Sequence, residues 1–84
     1  MIHRIKLRDE FADAVYNGEK SFEVRNNDRG YQKGDTVIFS VIDNLGLVIN
    51  SHPLNGVEFE ITYVLSGWGL SENTVAFAIK RKEE

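Results

Sequence analysis

The residues best suited to chemistry in this sequence lie in one segment, Gly18–Asp35, which carries four basic and four acidic side chains. Lys20, Arg25 and Arg29 can neutralise phosphate groups, and an arginine can also form paired hydrogen bonds with the edge of a base. This combination indicates a ligand that carries both negative charge and hydrogen-bonding groups. RNA, single-stranded or structured, and a nucleotide-like small molecule are the partners that fit this description.

Two acidic side chains in the same segment, Glu23 and Asp28, do not fit a simple phosphate-binding patch. They can instead accept hydrogen bonds from base amino groups or hold the neighbouring arginines in position. A cleft of mixed charge therefore suits an exposed base better than a long phosphate backbone, and Tyr31 or Trp68 could supply a stacking surface. A structural role is the alternative, because Glu23 and Arg25 could also be an ion pair that links two strands.

The local pattern places these side chains on a short β-strand that is followed by a turn. Phe22 and Val24 are expected to anchor the strand to the core, which would put Glu23 and Arg25 side by side on the opposite face. The next residues, 26–30, are asparagine, aspartate, arginine and glycine, which favour a polar turn. The sequence thus predicts a cluster of charged groups at one end of a strand.

The rest of the chain predicts an α+β fold with a small β-barrel of five to six mostly antiparallel strands and one early helix. The first strand would bury alternate residues starting at His3, and would bring His3 and Lys6 near the charged cluster. A helix is expected from Asp9 to Asn17, where Gly18 ends it. In the clearest alternation, Phe59, Ile61 and Tyr63 are expected to point inward. The further predicted strands are Thr36–Ile42, Val57–Leu65 and Thr74–Lys80.

Composition limits the classes of protein to which the chain can belong. Its 84 residues suffice for one small domain, 1–84, and the net charge of −3 argues against a general nucleic-acid binder. The absence of cysteine and the separation of the two histidines argue against a metal site, and no cofactor is expected. No apolar run is long enough for a membrane span and no signal segment is present, which indicates a cytoplasmic protein. Because the basic residues lie within 1–33 and 80–82, pairing of the last strand with the first would gather them on one face.

The charged segment resembles a known family. Residues 18–25, Gly-Glu-Lys-Ser-Phe-Glu-Val-Arg, look like the G-x-K-x-x-E-x-R signature of the ASCH domain, part of the PUA-like superfamily. Residues 3–6, 27–29, 34–35 and 61–64 are similar to a small bacterial and phage subfamily of unassigned function. The resemblance implies a PUA-like barrel. We expect a ligand cleft lined by Lys20, Glu23 and Arg25, with Asp28 and Arg29 at its rim and His3 and Lys6 nearby.

The same resemblance leaves two other functions open. One ASCH branch hydrolyses an acylated cytidine with a lysine at the position of Lys20, which would make Lys20 the base of a nucleoside amidohydrolase. That branch has a threonine where this chain has Glu23, so the hydroxyl nucleophile is missing. Lys20 and Glu23 would be catalytic only under this alternative. A protein-interaction module, in a phage or mobile-element setting, is the other alternative that the net acidity permits.

Overall fold

The computed structural model describes residues 1–82, which form one helix and a five-stranded sheet. In chain order the elements are β1 (Ile2–Arg8), α1 (Asp9–Tyr16), β2 (Phe22–Asn26), β3 (Thr36–Ile42), β4 (Glu58–Ser66) and β5 (Thr74–Arg81). The predicted α+β class with one early helix is confirmed. At eight residues, α1 is too short to cross a membrane, and no other helix occurs within residues 1–82.

The sheet has the strand order β1-β3-β4-β5-β2, so β1 and β2 form its two edges. Only β1 and β3 run parallel, which agrees with the prediction of a mostly antiparallel sheet. The predicted closed barrel would need a backbone ladder between β1 and β2, and none joins these strands in the part of the chain that the structure describes. The sheet is therefore open, and the space between its two edges is available to side chains.

The last strand pairs with β4 and β2, not with β1. Lys80 lies opposite Glu60 of β4, and the Lys82 ammonium lies 3.9 Å from the Glu58 carboxylate. The expectation that the C-terminal basic residues share a face with the N-terminal ones is therefore wrong. β5 has no free edge for β1, because β4 pairs with one of its edges and β2 with the other.

The core lies on one face of the sheet, where alternate residues of each strand are buried. In β1 the predicted alternation is confirmed, because His3, Ile5 and Leu7 are buried. Helix α1 adds Ala12 and Val15 to the same core, and Asn17 forms its C-cap. The largest fully buried side chains are Phe39, Phe77, Leu54, Ile61, Val37 and Val41.

In β2 the face that packs on the core is the opposite of the predicted one. Phe22 and Val24 are 49% and 51% exposed, whereas Glu23 is only 4% exposed. The cause is the pairing with β5, in which Glu23 stands opposite Phe77. Directly opposed residues in an antiparallel pair point to the same face, and Phe77 belongs to the core. A five-residue alternation cannot reveal which of its faces meets the core, and here the charged face does.

The predicted inward alternation of β4 holds only as far as a β-bulge. Phe59 and Ile61 are buried as expected, but Tyr63 is 61% exposed. The pairing with β5 shifts register between Ile61 and Tyr63, so the residues beyond the shift exchange faces. Val64, which follows the shift, packs against the core.

Candidate functional site

A groove of about 630 Å³ lies between the two edge strands of the sheet. It is called the edge groove below. Its volume falls within the range of small-ligand sites, roughly 300–1,000 Å³. Its walls come from β1, from β2, from the loop that follows β2 and from Phe11 of α1. The lining residues are Arg4, Ile5, Lys6, Leu7, Arg8, Phe11, Glu23, Val24, Arg25, Asn26, Asp28, Arg29 and Tyr31.

Glu23 is the buried carboxylate of this groove, and each of its oxygens already accepts a charged donor. Oε1 accepts from Arg25 Nη2 at 3.1 Å, and Oε2 accepts from Lys20 Nζ at 2.5 Å. A carboxylate this deeply buried requires such partners, because removing an unpaired charge from water costs several kcal/mol, on the order of 3–5. Glu23 therefore orients the two cations, and each of its oxygens already accepts one charged donor.

Arg25 connects the two edges of the open sheet. Its Nη2 also donates to the backbone carbonyl oxygen of Lys6 at 2.5 Å, which links β2 to β1 where the backbone ladder is missing. A guanidinium carries five N–H donors, so those not used by Glu23 and Lys6 remain for a ligand. The side chain is 25% exposed and lines the groove, as the sequence predicts.

Lys20 lies behind Glu23 and does not line the edge groove. Its Nζ donates to the Phe22 carbonyl oxygen at 2.8 Å and stands 4.9 Å from the centre of the Phe22 ring. It also lies 5.4 Å from the centre of the Phe11 ring. All these contacts suit an ammonium ion, whereas a general base needs a free lone pair. The geometry therefore gives no support to Lys20 as the base of an amidohydrolase.

The rim of the groove is the loop after β2, which carries Asp28 and Arg29, both exposed. Two hydrogen bonds hold this loop in place. The Asn27 side chain accepts from the Tyr31 backbone N–H at 3.0 Å, and the Asn27 N–H donates to the Asn73 carbonyl oxygen at 2.7 Å. The rim is thus a braced turn, and it brings both predicted rim residues to the groove.

Tyr31 is a buried aromatic residue in the groove wall. Its ring packs 4.7 Å from the His3 ring and 4.7 Å from the Phe77 ring, measured between centroids. Burial raises the pKa of the Tyr31 phenol above its ordinary value, an effect that the positive charges of Arg25 and Arg29 oppose. The phenol therefore remains protonated at neutral pH and can donate a hydrogen bond into the groove.

His3 lies behind Tyr31 and does not line the groove. Its ring is 2% exposed, and Nε2 lies 2.7 Å from Oδ2 of Asp35. The same Asp35 oxygen accepts the Gln32 backbone N–H at 3.1 Å. The hydrogen bond from His3 lowers the pKa of Asp35, although burial opposes the shift. His3 thus supports the wall of the groove through Tyr31 and Asp35, in line with a core histidine.

The charges of the groove wall differ from those of the whole chain. The lining includes five basic side chains against two carboxylates, an excess of three positive charges in a chain whose net charge is −3. Within residues 1–82, neither Arg4, Lys6 nor Arg29 forms a salt bridge. The basic side chains that line the groove therefore make a local positive field.

The family to which these residues belong is shown by comparison with known proteins. The domain family described as a domain of unknown function, DUF3850, matches residues 2–79. The chain belongs to this family. The match includes every residue that lines the edge groove.

Two further proteins resemble this DUF3850 chain. An uncharacterised 12.9 kDa protein in the GpA 3′ region of Escherichia phage P2 is 46% identical over 37 residues, which cover 44% of this chain and 34% of that protein. The chain thus matches about a third of that relative's length. The crystal structure of hypothetical protein PH0355 superposes with a TM-score of 0.63 and 16% identity, covering 98% of this chain and 100% of that one. At this identity the likeness shows a shared fold.

Several groove residues of the DUF3850 chain are not among those that the sequence predicted. Arg4 and Arg8 stand on β1 at alternate positions with Lys6, and Phe11 and Asn26 complete the wall. The spacing of Arg4, Lys6 and Arg8 would have revealed Arg4 and Arg8, because residues two apart on a strand share a face with the predicted Lys6. Across residues 1–82, no three His, Cys, Asp or Glu side chains are grouped so that they could hold a metal ion.

Proposed function

We propose that this DUF3850 chain binds single-stranded RNA in the edge groove. The observation that carries the proposal is the excess of positive side chains around a groove with an aromatic residue in its wall, on a chain that is otherwise acidic. Phosphate contacts supply most of the affinity for nucleic acid, and a site that concentrates cations in one place favours a polyanion despite the negative net charge.

The proposed roles follow from what each side chain has left to offer. Lys6 and Arg29 have no salt bridge within residues 1–82, so they would contact phosphates. Arg25, held by Glu23, would direct its remaining N–H donors at a phosphate or at a base edge. Asp28 at the rim would accept a hydrogen bond from a base amino group, and the Tyr31 phenol would donate one.

An unpaired strand fits the groove better than a duplex. The groove has the volume of a small-ligand site, which admits an unpaired nucleotide but not a double helix. Sequence-reading RNA-binding proteins also take mainly unpaired bases, whose edges are free for hydrogen bonds. The proposal therefore specifies single strands or loops as the ligand.

The resemblance of residues 18–25 to the ASCH signature supports the same function. We also propose that DUF3850 is a branch of the PUA-like superfamily. The side-chain link from Arg25 to the Lys6 carbonyl would then stand where a closed barrel has a backbone ladder. The ligand would enter between the two strands that this link holds together.

Fluorescence anisotropy with a labelled single-stranded RNA, measured across a range of salt concentrations, tests the proposal. We expect the logarithm of the affinity to fall linearly with the logarithm of the salt concentration, by about 0.7 per phosphate contacted. Arg29→Ala should weaken binding and reduce that slope by about 0.7. Lys80→Ala is the matched control, because it removes an exposed basic side chain outside the groove. Absence of binding at low salt, or equal loss in both variants, would refute the proposal.

A further inference from the structure

Trp68, the only tryptophan of the chain, has a solvent-exposed side chain and an unfavourable backbone conformation. Its side chain is 89% exposed, so it is not the lid on the core that a tryptophan between glycines usually forms. Its φ angle is +54°, in the left-handed region that bulky residues rarely adopt. The flanking glycines, Gly67 and Gly69, also have positive φ angles, of 74° and 89°. Neither the exposure nor the conformation contributes to the stability of the fold.

The turn that carries Trp68 adjoins the rim of the edge groove. It connects β4 to β5, and its last residue, Asn73, accepts the hydrogen bond from the Asn27 N–H at 2.7 Å. Asn27 directly precedes the rim residues Asp28 and Arg29. The turn is also braced within itself, because the Leu70 N–H donates to the Gly67 carbonyl oxygen at 3.0 Å. An exposed aromatic ring on a braced turn therefore stands at the same end of the sheet as the cationic rim.

We propose that Trp68 is a stacking platform for a base of the single-stranded RNA whose phosphates occupy the edge groove. The inference rests on the function proposed above and extends its ligand beyond the groove. Proteins that bind single strands combine a cationic path for the backbone with exposed aromatic rings on which the bases stack. Trp68 offers an exposed ring on a turn whose backbone is braced by hydrogen bonds, and Arg29 would guide the strand from the groove to the turn.

The test is direct because the chain has a single tryptophan, so intrinsic fluorescence excited at about 295 nm reports on Trp68 alone. Single-stranded RNA of increasing length is titrated into the protein, while anisotropy of labelled RNA measures affinity independently. We expect oligonucleotides to quench the tryptophan fluorescence. A mononucleotide should leave the fluorescence unchanged, because it would occupy the groove without reaching Trp68. Trp68→Ala should weaken oligonucleotide binding by roughly tenfold, and Trp68→Phe should recover most of it.

Trp68→Asn separates stacking from folding, because asparagine tolerates the left-handed conformation. This variant should keep or raise the thermal midpoint and still lose roughly the same tenfold in affinity. Salt-dependent binding with unchanged tryptophan fluorescence, and with Trp68→Ala equal to wild type, would overturn the stacking role and leave the groove proposal intact. Equal quenching by mononucleotide and oligonucleotide would overturn the proposed path from groove to turn. Failure of every RNA to bind would remove both proposals.

Discussion

Replacement of Glu23 by glutamine is the perturbation that most directly probes the centre of the groove. The side chain keeps its shape but loses the charge that pairs with Lys20 and Arg25. Removal of one partner from a buried ion pair costs about 3–5 kcal/mol. Here the side chains of Lys20 and Arg25 are 18% and 25% exposed, so both cations retain some access to water. We therefore expect a smaller loss of unfolding free energy, about 2 kcal/mol.

Urea denaturation at pH 7 measures this loss. For a domain of this size, 2 kcal/mol corresponds to a fall of about 8–16 °C in Tm. Glu60→Gln is the matched control, because Glu60 is exposed on β4, and it should change the unfolding free energy by less than about 0.5 kcal/mol. If Glu23→Gln proved as mild as its control, Glu23 would not be the paired, buried carboxylate on which the groove depends.

Three further predictions concern the surroundings of the groove. Arg25→Lys should cost about 1–2 kcal/mol in urea denaturation, because one ammonium cannot replace the guanidinium contacts to both the carboxylate and the β1 carbonyl. Stability should fall in acid through Asp35, whose pKa the hydrogen bond from His3 lowers: its contribution is complete above the unfolded value of about 3.9 and is lost as the pH falls through the lower folded value. Unfolding curves from pH 7 to pH 3 should therefore show a smaller acid loss for Asp35→Asn. Phe59→Ala should cost about 3–5 kcal/mol and Tyr63→Ala less than about 1 kcal/mol, and similar losses would contradict the bulge.

The positions of the helix and of the strands could be predicted from the sequence, because a hydrophobic pattern marks each of them. β1 and β5 bury the residues that their alternation indicates, β3 spans the predicted Thr36–Ile42, and α1 ends at Tyr16 with Asn17 as its C-cap, next to the glycine signal. The facing of β2 could not be predicted, because either face of a five-residue strand can meet the core until its partner strand is known. The bulge in β4 was equally hidden, since the sequence continues to alternate through it.

Most residues of the candidate site could be predicted from the sequence, but their positions relative to one another could not. Glu23, Arg25, Asp28 and Arg29 do meet in one groove, because they are close along the chain. The separation of Lys20 from that groove follows from the reversed facing of β2, which turns Glu23 inward between the two cations. The spacing of Arg4, Lys6 and Arg8 places them on one face of β1, but the position of β1 across the groove from β2 depends on the sheet order, which no local pattern reveals.

Chemical-shift perturbation in ¹H–¹⁵N spectra, recorded as single-stranded RNA is added, shows whether the RNA binds in the edge groove. The account predicts that the largest shifts occur in the backbone amides of Ile5–Arg8 and Glu23–Arg29, with a matching shift of the Arg25 side-chain Nε–H. The amides of residues 80–82 form the internal comparison, because they belong to a basic segment outside the edge groove. Shifts confined to residues 80–82, with the two edge strands unchanged, would contradict the account.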